Sequence, residues 1–271
     1  MEEVEVDGVR LSLSKPSDFD LTWIGQKNVQ NQLLASWLKL EDSDLPLTPR
    51  IIGPPGVGKT TLAYSTARQL GQDCYFFQGT LDTRPEDLIV IPVVAGQQKI
   101  RYVASPIVSA MITGSIVILD EGNRMQEKSW ASLAPLLDQR RYVESQLAGI
   151  TIHAHPNFRM AVTMNVDVST FDLPEYISSR LQPIIELDFP SAEEERQIIK
   201  YSVPFATQEI IDLTVAFLQA AHNDAQPFTV RAGIQIVQYT LKLRKMNSSP
   251  LHPAFYQSIQ QILGDDAVKY V

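Results

Sequence analysis

The chain has 271 residues, 44% of them hydrophobic and 20% charged, which suits one large domain or two modest ones around a core that needs no staples. Its single cysteine, Cys74, excludes an intrachain disulfide and a paired-cysteine metal site, and the run Cys74-Tyr75-Phe76-Phe77 around it reads as a buried strand. Thirty-one acidic against twenty-three basic side chains give a net charge of −8, which argues against a dedicated nucleic-acid coat.

The first residues alternate, from Val4 to Leu13, around Asp7-Gly8, a dipeptide that favours a tight hairpin. Met1 to Glu5 is acidic and has no apolar core behind it, so a signal peptide is not expected. A helix is expected over residues 27–40, with Val29, Leu33, Trp37 and Leu40 on one face. From residue 50 the pattern alternates between strand and helix. Strands are expected at 50–52, 74–77, 115–119, 158–163 and 183–187, with helices such as 59–70 and 128–137 between them. That alternation predicts an α/β fold, a parallel sheet with helices on both faces. Residues 108–119 form the longest nearly apolar stretch, short of the about 20 residues a membrane span takes, so a cytoplasmic chain with no membrane association is expected.

After Phe189 the strand signals stop. Ser191 and Glu194 have capping-box spacing. Apolar stripes then recur over 207–221, 229–244 and 254–263, which predicts an all-helical unit. The expected division is an N-terminal hairpin at 1–22, an α/β nucleotide-binding domain at 23–189 and a helical lid at 190–271.

Gly53-Pro54-Pro55-Gly56-Val57-Gly58-Lys59-Thr60 matches G-x-x-x-x-G-K-[ST], after one expected strand and before an expected helix. Glycines let backbone N–H groups wrap closely around phosphates, and the helix N-terminus favours the anion. Lys59 would reach the β- and γ-phosphates, the Thr60 hydroxyl would hold Mg²⁺, and Thr61 follows within the first turn. The strand 115–119 ends in Asp120-Glu121, which suits Asp120 to the same Mg²⁺ and Glu121 to general-base work on a water. Adjacent acids on a strand point opposite ways and so take different jobs.

The loop, the acid pair and the helical C-terminal part together resemble an AAA+ ATPase. Asp120-Glu121-Gly122-Asn123-Arg124 and His155-Pro156-Asn157-Phe158-Arg159 resemble the MoxR-like and dynein-related branch. The resemblance implies ATP and Mg²⁺ as ligands, Asn165 as the sensor that positions water, and Arg180, in Leu173–Leu181, as an arginine finger donated to a neighbouring subunit. It further implies that Arg231 touches the γ-phosphate and that Ile24 and Gly25 border the adenine. A ring, by resemblance a hexamer, that remodels a protein client or works with a von Willebrand factor A-domain partner is the expected assembly.

Two departures stand out. Gly122 replaces the family's usual isoleucine, and the run from Met164 to Asp167 lacks the usual proline and is similar to the GTP-using McrB branch. Segments 88–103 and 141–152 resemble the family's helix-2 insert and pre-sensor 1 hairpin, places for client contact. A nucleic-acid-directed motor is the competing class. Lys99 with Arg101, and Arg140 with Arg141, are too few for a nucleic-acid surface and read as solvated charge. His153 and His155 lack the further ligands a metal site needs.

Overall fold

The computed structural model describes residues 2–95, 99–165 and 172–271. Residues 96–98, the tip of the first expected hairpin, and 166–171, with Asp167, lie outside the described residues. The chain divides into two compact units. One gathers Met1–Trp23, Lys27–Gly53 and Lys59–Glu186; the other gathers Ile24–Gln26, Pro54–Gly58 and Leu187–Val271.

The first unit begins with β1 (Glu3–Val6) and β2 (Val9–Ser12). Asp7 and Gly8 between them have φ of 47° and 79°, the left-handed pair that a two-residue hairpin turn requires. Next come α1 (Lys27–Trp37), β3 (Arg50–Gly53), α2 (Lys59–Gln69), β4 (Cys74–Gln78), β5 (Val90–Ala95), β6 (Lys99–Ala104) and α3 (Pro106–Thr113). Then follow β7 (Ile116–Asp120), α4 (Glu127–Leu133), β8 (Tyr142–Ser145), β9 (Ile150–His153), β10 (Arg159–Asn165), α5 (Glu175–Ser178) and β11 (Ile184–Glu186).

Five strands form a parallel sheet in the order β11-β3-β10-β7-β4. Val117 and Leu119 of β7 pack into one core with Ile107, Met111 and Trp130 of the helices. Ile116 and Ile118, one step along the pleat, face the other way and are equally buried. A strand covered on both faces must be apolar at every position, which is why β7 shows as an unbroken run. The apolar stretch 108–119 is in fact two elements. Ser105 caps α3 by accepting the Val108 N–H at 3.1 Å, and Gly114 ends it at φ 71° before β7 starts.

The N-terminal hairpin and the first insert share a second sheet, β1-β2-β6-β5. Leu11 and Ser12 pair in parallel with Tyr102 and Val103, and Leu11 is wholly buried. β8 and β9 form a separate hairpin. Arg141, expected among solvated charges, instead donates to the Phe158 carbonyl at 2.8 Å and lies over that ring, half-buried.

The second unit's helices are α6 (Ala192–Ser202), α7 (Gln208–Asn223), α8 (Val230–Asn247) and α9 (Leu251–Leu263). The capping box is present: Ser191 N–H donates to Glu194 Oε2 at 2.9 Å, and Glu194 N–H donates to Ser191 Oγ at 3.4 Å. Ile199, Phe217, Leu218, Val237, Phe255 and Ile259 make the core. Among the described residues no helix is long and apolar enough to cross a membrane.

Candidate functional site

In the first unit, β3 delivers the chain to Gly53 and α2 starts at Lys59. The Lys59 side chain is buried, and its Nζ donates to the Gly53 carbonyl at 2.9 Å. One residue on, Thr60 Oγ1 donates to Asp120 Oδ1 at 2.8 Å. Asp120 closes β7, and β10 lies between β7 and β3 with Asn165 in register with Gly53. Thr163 of β10 donates its hydroxyl to the same Asp120 oxygen and accepts the Glu121 N–H at 3.2 Å. Asp120 is therefore fixed from the helix on one side and from the neighbouring strand on the other.

Glu121 separates from Asp120 by backbone conformation rather than by strand alternation. Its φ of 53° and ψ of 38° put it in the left-handed region, where a side chain with a Cβ sits at a cost. The turn swings its carboxylate to other partners. Oε1 accepts from Asn165 Nδ2 at 3.1 Å, and Oε2 faces Arg124 Nε at 3.0 Å and Gln78 Nε2 at 3.4 Å. Asn123 Nδ2 donates to the Asn165 carbonyl at 2.8 Å and so fixes the end of β10. A larger residue at Gly122 would force its neighbours to shift: a Cβ there would lie 2.6 Å from Val162 Cγ1 and 3.0 Å from the Trp130 ring.

The Thr60 hydroxyl and the Asp120 carboxylate are both hard oxygen donors converging on one place, the donor type that suits Mg²⁺. Among the described residues no group of three or more His, Cys, Asp and Glu could hold a metal. An ion at Thr60 and Asp120 would complete its shell from phosphate oxygens and water, which is how Mg²⁺ is usually held beside a nucleotide.

Arg180 lies just past α5. Its Nη1 donates to the Tyr176 carbonyl and its Nε is 3.4 Å from Asp138 Oδ2. The Arg140 guanidinium, hydrogen-bonded to the Asp138 side chain, holds that carboxyl down at about 2.

In the second unit, Ile24–Gln26 is clipped to the start of α6. Gln26 N–H donates to Glu194 Oε1 at 2.6 Å, and Gln26 Nε2 donates to the Asp188 carbonyl at 3.1 Å. The Gln26 amide, and then the Ser191 amide and hydroxyl, hold the Glu194 carboxyl below its ordinary range. Gly25 has φ 83°, and a Cβ on it would meet Glu194 Oε1 at 2.6 Å. The arc Pro54–Gly58 turns through Gly56 at φ 83° and Gly58 at φ 108°. Arg231 lies beside it: a Cβ on Gly56 would be 2.7 Å from Thr229 Oγ1 and 3.6 Å from Arg231 Nε. In α6 Glu195 is fully buried, and burial pushes its carboxyl up to about 7 although Gln219 donates to it at 3.0 Å.

Sequence reasoning singled out Lys59, Thr60, Asp120, Glu121 and Asn165, and hydrogen bonds tie the last four into two linked pairs. It missed Thr163 and Gln78 as their supports, and Asp138 beside Arg180. It quoted Asn123 and Arg124 in a motif without giving either a role.

Residues 50–181 match the AAA domain family of the dynein-related subfamily. Over 170 residues the chain is 26% identical to an uncharacterized protein of Staphylococcus haemolyticus strain JCSC1435, covering 61% of this chain and 64% of that protein. Over 153 residues it is 28% identical to an uncharacterized protein of Staphylococcus aureus strain USA300, covering 55% and 58%. These matches span less than two thirds of the relatives' length. The fold is similar to that of the Thermotoga maritima RuvB Holliday junction branch migration motor, at 18% identity and a TM-score of 0.60, covering 90% of this chain and 72% of that one. It is also similar to NtrX from Brucella abortus, at 15% identity and a TM-score of 0.56, covering 91% and 65%.

Proposed function

We propose that the chain, whose residues 50–181 match the dynein-related AAA domain family, is an AAA+ ATPase that hydrolyses ATP with Mg²⁺ at the loop Gly53–Thr60 and its neighbouring acids. The observation that carries this reading is the separation of two carboxylates with two sets of partners. Asp120 is bonded to Thr60 and Thr163, and Glu121 to Asn165.

Backbone N–H groups of Gly53, Gly56, Val57 and Gly58 line the phosphates, Pro54 and Pro55 shape the turn, and Lys59 supplies charge to the β- and γ-phosphates. Thr60 and Asp120 hold Mg²⁺, and Thr61 closes the loop's hold through the first turn of α2. Bound there, Mg²⁺ neutralises charge on the β- and γ-oxygens. Glu121 accepts the proton of the attacking water, and Asn165, whose carboxamide already touches Glu121 Oε1, orients that water. Ile24 and Gly25 contact the base, and Arg231 reads the γ-phosphate.

Arg180 serves the site of a neighbouring copy in a ring, expected to be a hexamer. The domain plan of hairpin, nucleotide-binding domain and lid at 1–22, 23–189 and 190–271 follows from this reading. The output is a change of state in a protein partner, in the manner of MoxR-type proteins and their von Willebrand factor A-domain partners. The likeness to RuvB is one of fold, and the acidic balance of this chain favours a protein over a polyanion. The test is phosphate release from ATP and from GTP by the parent and Lys59→Ala chains, with and without Mg²⁺. Turnover of ATP that needs both Lys59 and Mg²⁺ supports the assignment, and preference for GTP moves it to the McrB-like class.

A further inference from the structure

Arg180 is held at its neck. Nη1 donates to the Tyr176 carbonyl within the same turn, and Nε lies 3.4 Å from Asp138 Oδ2, which comes from the turns after α4. Asp138 is itself clamped. Arg140 Nε donates to Oδ1 at 3.0 Å, Arg140 Nη2 to Oδ2 at 2.8 Å, and the Arg140 backbone N–H to Oδ1 at 3.0 Å. The Arg140 guanidinium lies over the Tyr142 ring, 5.8 Å from its centre. The Arg180 side chain keeps 29% of its surface exposed, and among the described residues its Nη2 has no hydrogen-bond partner. Two guanidinium groups share one carboxylate, so the cluster carries a net positive charge that suits an anionic group.

We propose that Asp138 is the positioning residue for Arg180: its carboxylate grips the Nε edge, leaves the Nη2 tip to reach a phosphate, and is held in place by Arg140. The proposal rests on the reading of Arg180 as a finger donated to a neighbouring copy. An arginine is long and flexible, and a guanidinium fixed before the neighbour arrives need not be ordered at the moment of reaction. Misplacement of a reacting group by about 1 Å costs on the order of 10²-fold in rate.

The experiment measures ATP hydrolysis by the full chain. Asp138→Asn keeps the shape and removes the charge; kcat is expected to fall about 10–100-fold with KM for ATP nearly unchanged. Arg140→Ala keeps the Asp138–Arg180 pair but loosens the hold on Asp138, and is expected to give a smaller loss. In an Arg180→Ala background, Asp138→Asn is expected to have no further effect. Mixing Asp138→Asn chains with Lys59→Ala chains should restore activity. The composite sites then combine an intact loop from the first chain with an intact Asp138–Arg180 pair from the second. A parent kcat for Asp138→Asn beside an inactive Arg180→Ala overturns the proposal and leaves the finger reading standing. An equal loss from Asp138→Asn in the Arg180→Ala background, or no rescue on mixing, overturns it as well. A parent rate for Arg180→Ala removes the finger reading itself.

Discussion

Replacing Thr163 by valine keeps the shape of a buried strand residue and deletes one hydroxyl. That hydroxyl does two things: it donates to Asp120 Oδ1 and accepts the Glu121 N–H at 3.2 Å. Thr163 is 1% exposed, so water does not readily replace it. Loss of a hydrogen bond to a charged group costs about 1.5–3 kcal/mol, and a buried N–H left unpaired costs about 1–3 kcal/mol. Some of this is offset by local relaxation, which leaves an expected destabilisation of about 2–4 kcal/mol. Thr163→Ser keeps the hydroxyl and loses one buried methyl group, about 1 kcal/mol. Urea unfolding should therefore rank the parent first, then Thr163→Ser, then Thr163→Val. With Asp120 held from α2 alone, Thr163→Val should also need more Mg²⁺ for half-maximal ATP hydrolysis, whereas Thr163→Ser should not. A Thr163→Val chain with the parent midpoint and the parent Mg²⁺ requirement would refute this reasoning.

Three further expectations concern other parts of the chain. Glu195 is buried with its carboxyl raised to about 7, so the folded state holds a proton that the unfolded state releases near pH 4.5. Its contribution to stability is full below about pH 4.5 and is lost as pH rises through 7, a change of about 2–3 kcal/mol after screening. Glu195→Gln should flatten that fall in thermal unfolding scans between pH 5 and 8, and parallel curves would contradict the burial argument. Gly25→Ala puts a Cβ at φ 83° and 2.6 Å from Glu194 Oε1, which displaces the carboxylate from the Gln26 N–H. Nucleotide affinity in a fluorescent-analogue titration should weaken by about tenfold, the equivalent of about 1.4 kcal/mol. Gly122→Ala drives a Cβ to 2.6 Å from Val162 Cγ1, and the overpacking should lower stability by about 1–3 kcal/mol in the same urea assay.

The parallel sheet was legible because the central strands β7 and β10, buried on both faces, are nearly unbroken apolar runs, and β3, β4 and β11 also fall where short apolar runs stand between helical patterns. The loop at Gly53–Thr60 was legible because its glycines and lysine stand at fixed spacing between a strand and a helix. Thr163 was not legible, since one β-branched residue in an apolar strand is ordinary, and only the pairing of β10 with β7 gives it a role. Asp138 likewise acquires meaning only from the turn that carries Arg180. The separation of Asp120 from Glu121 was expected for the wrong cause, because periodicity does not reveal that the strand ends in a left-handed residue at Glu121. The pairing of Leu11 with Tyr102 joins segments far apart in the chain, and neither hairpin carries a signal for it. Residues 108–119 concealed the helix α3 ahead of the expected strand because Gly114 is the single break between two buried elements.

The central claim is that Glu121 acts on water while Lys59 and Thr60 act on the nucleotide. Phosphate release and ATP binding measured together on Glu121→Gln test it most directly. The exchange keeps a group able to meet Asn165 and removes the carboxylate's basicity. The account predicts ATP bound as tightly as by the parent, with turnover lower by about 10²–10⁴-fold. Hydrolysis at the parent rate would contradict it.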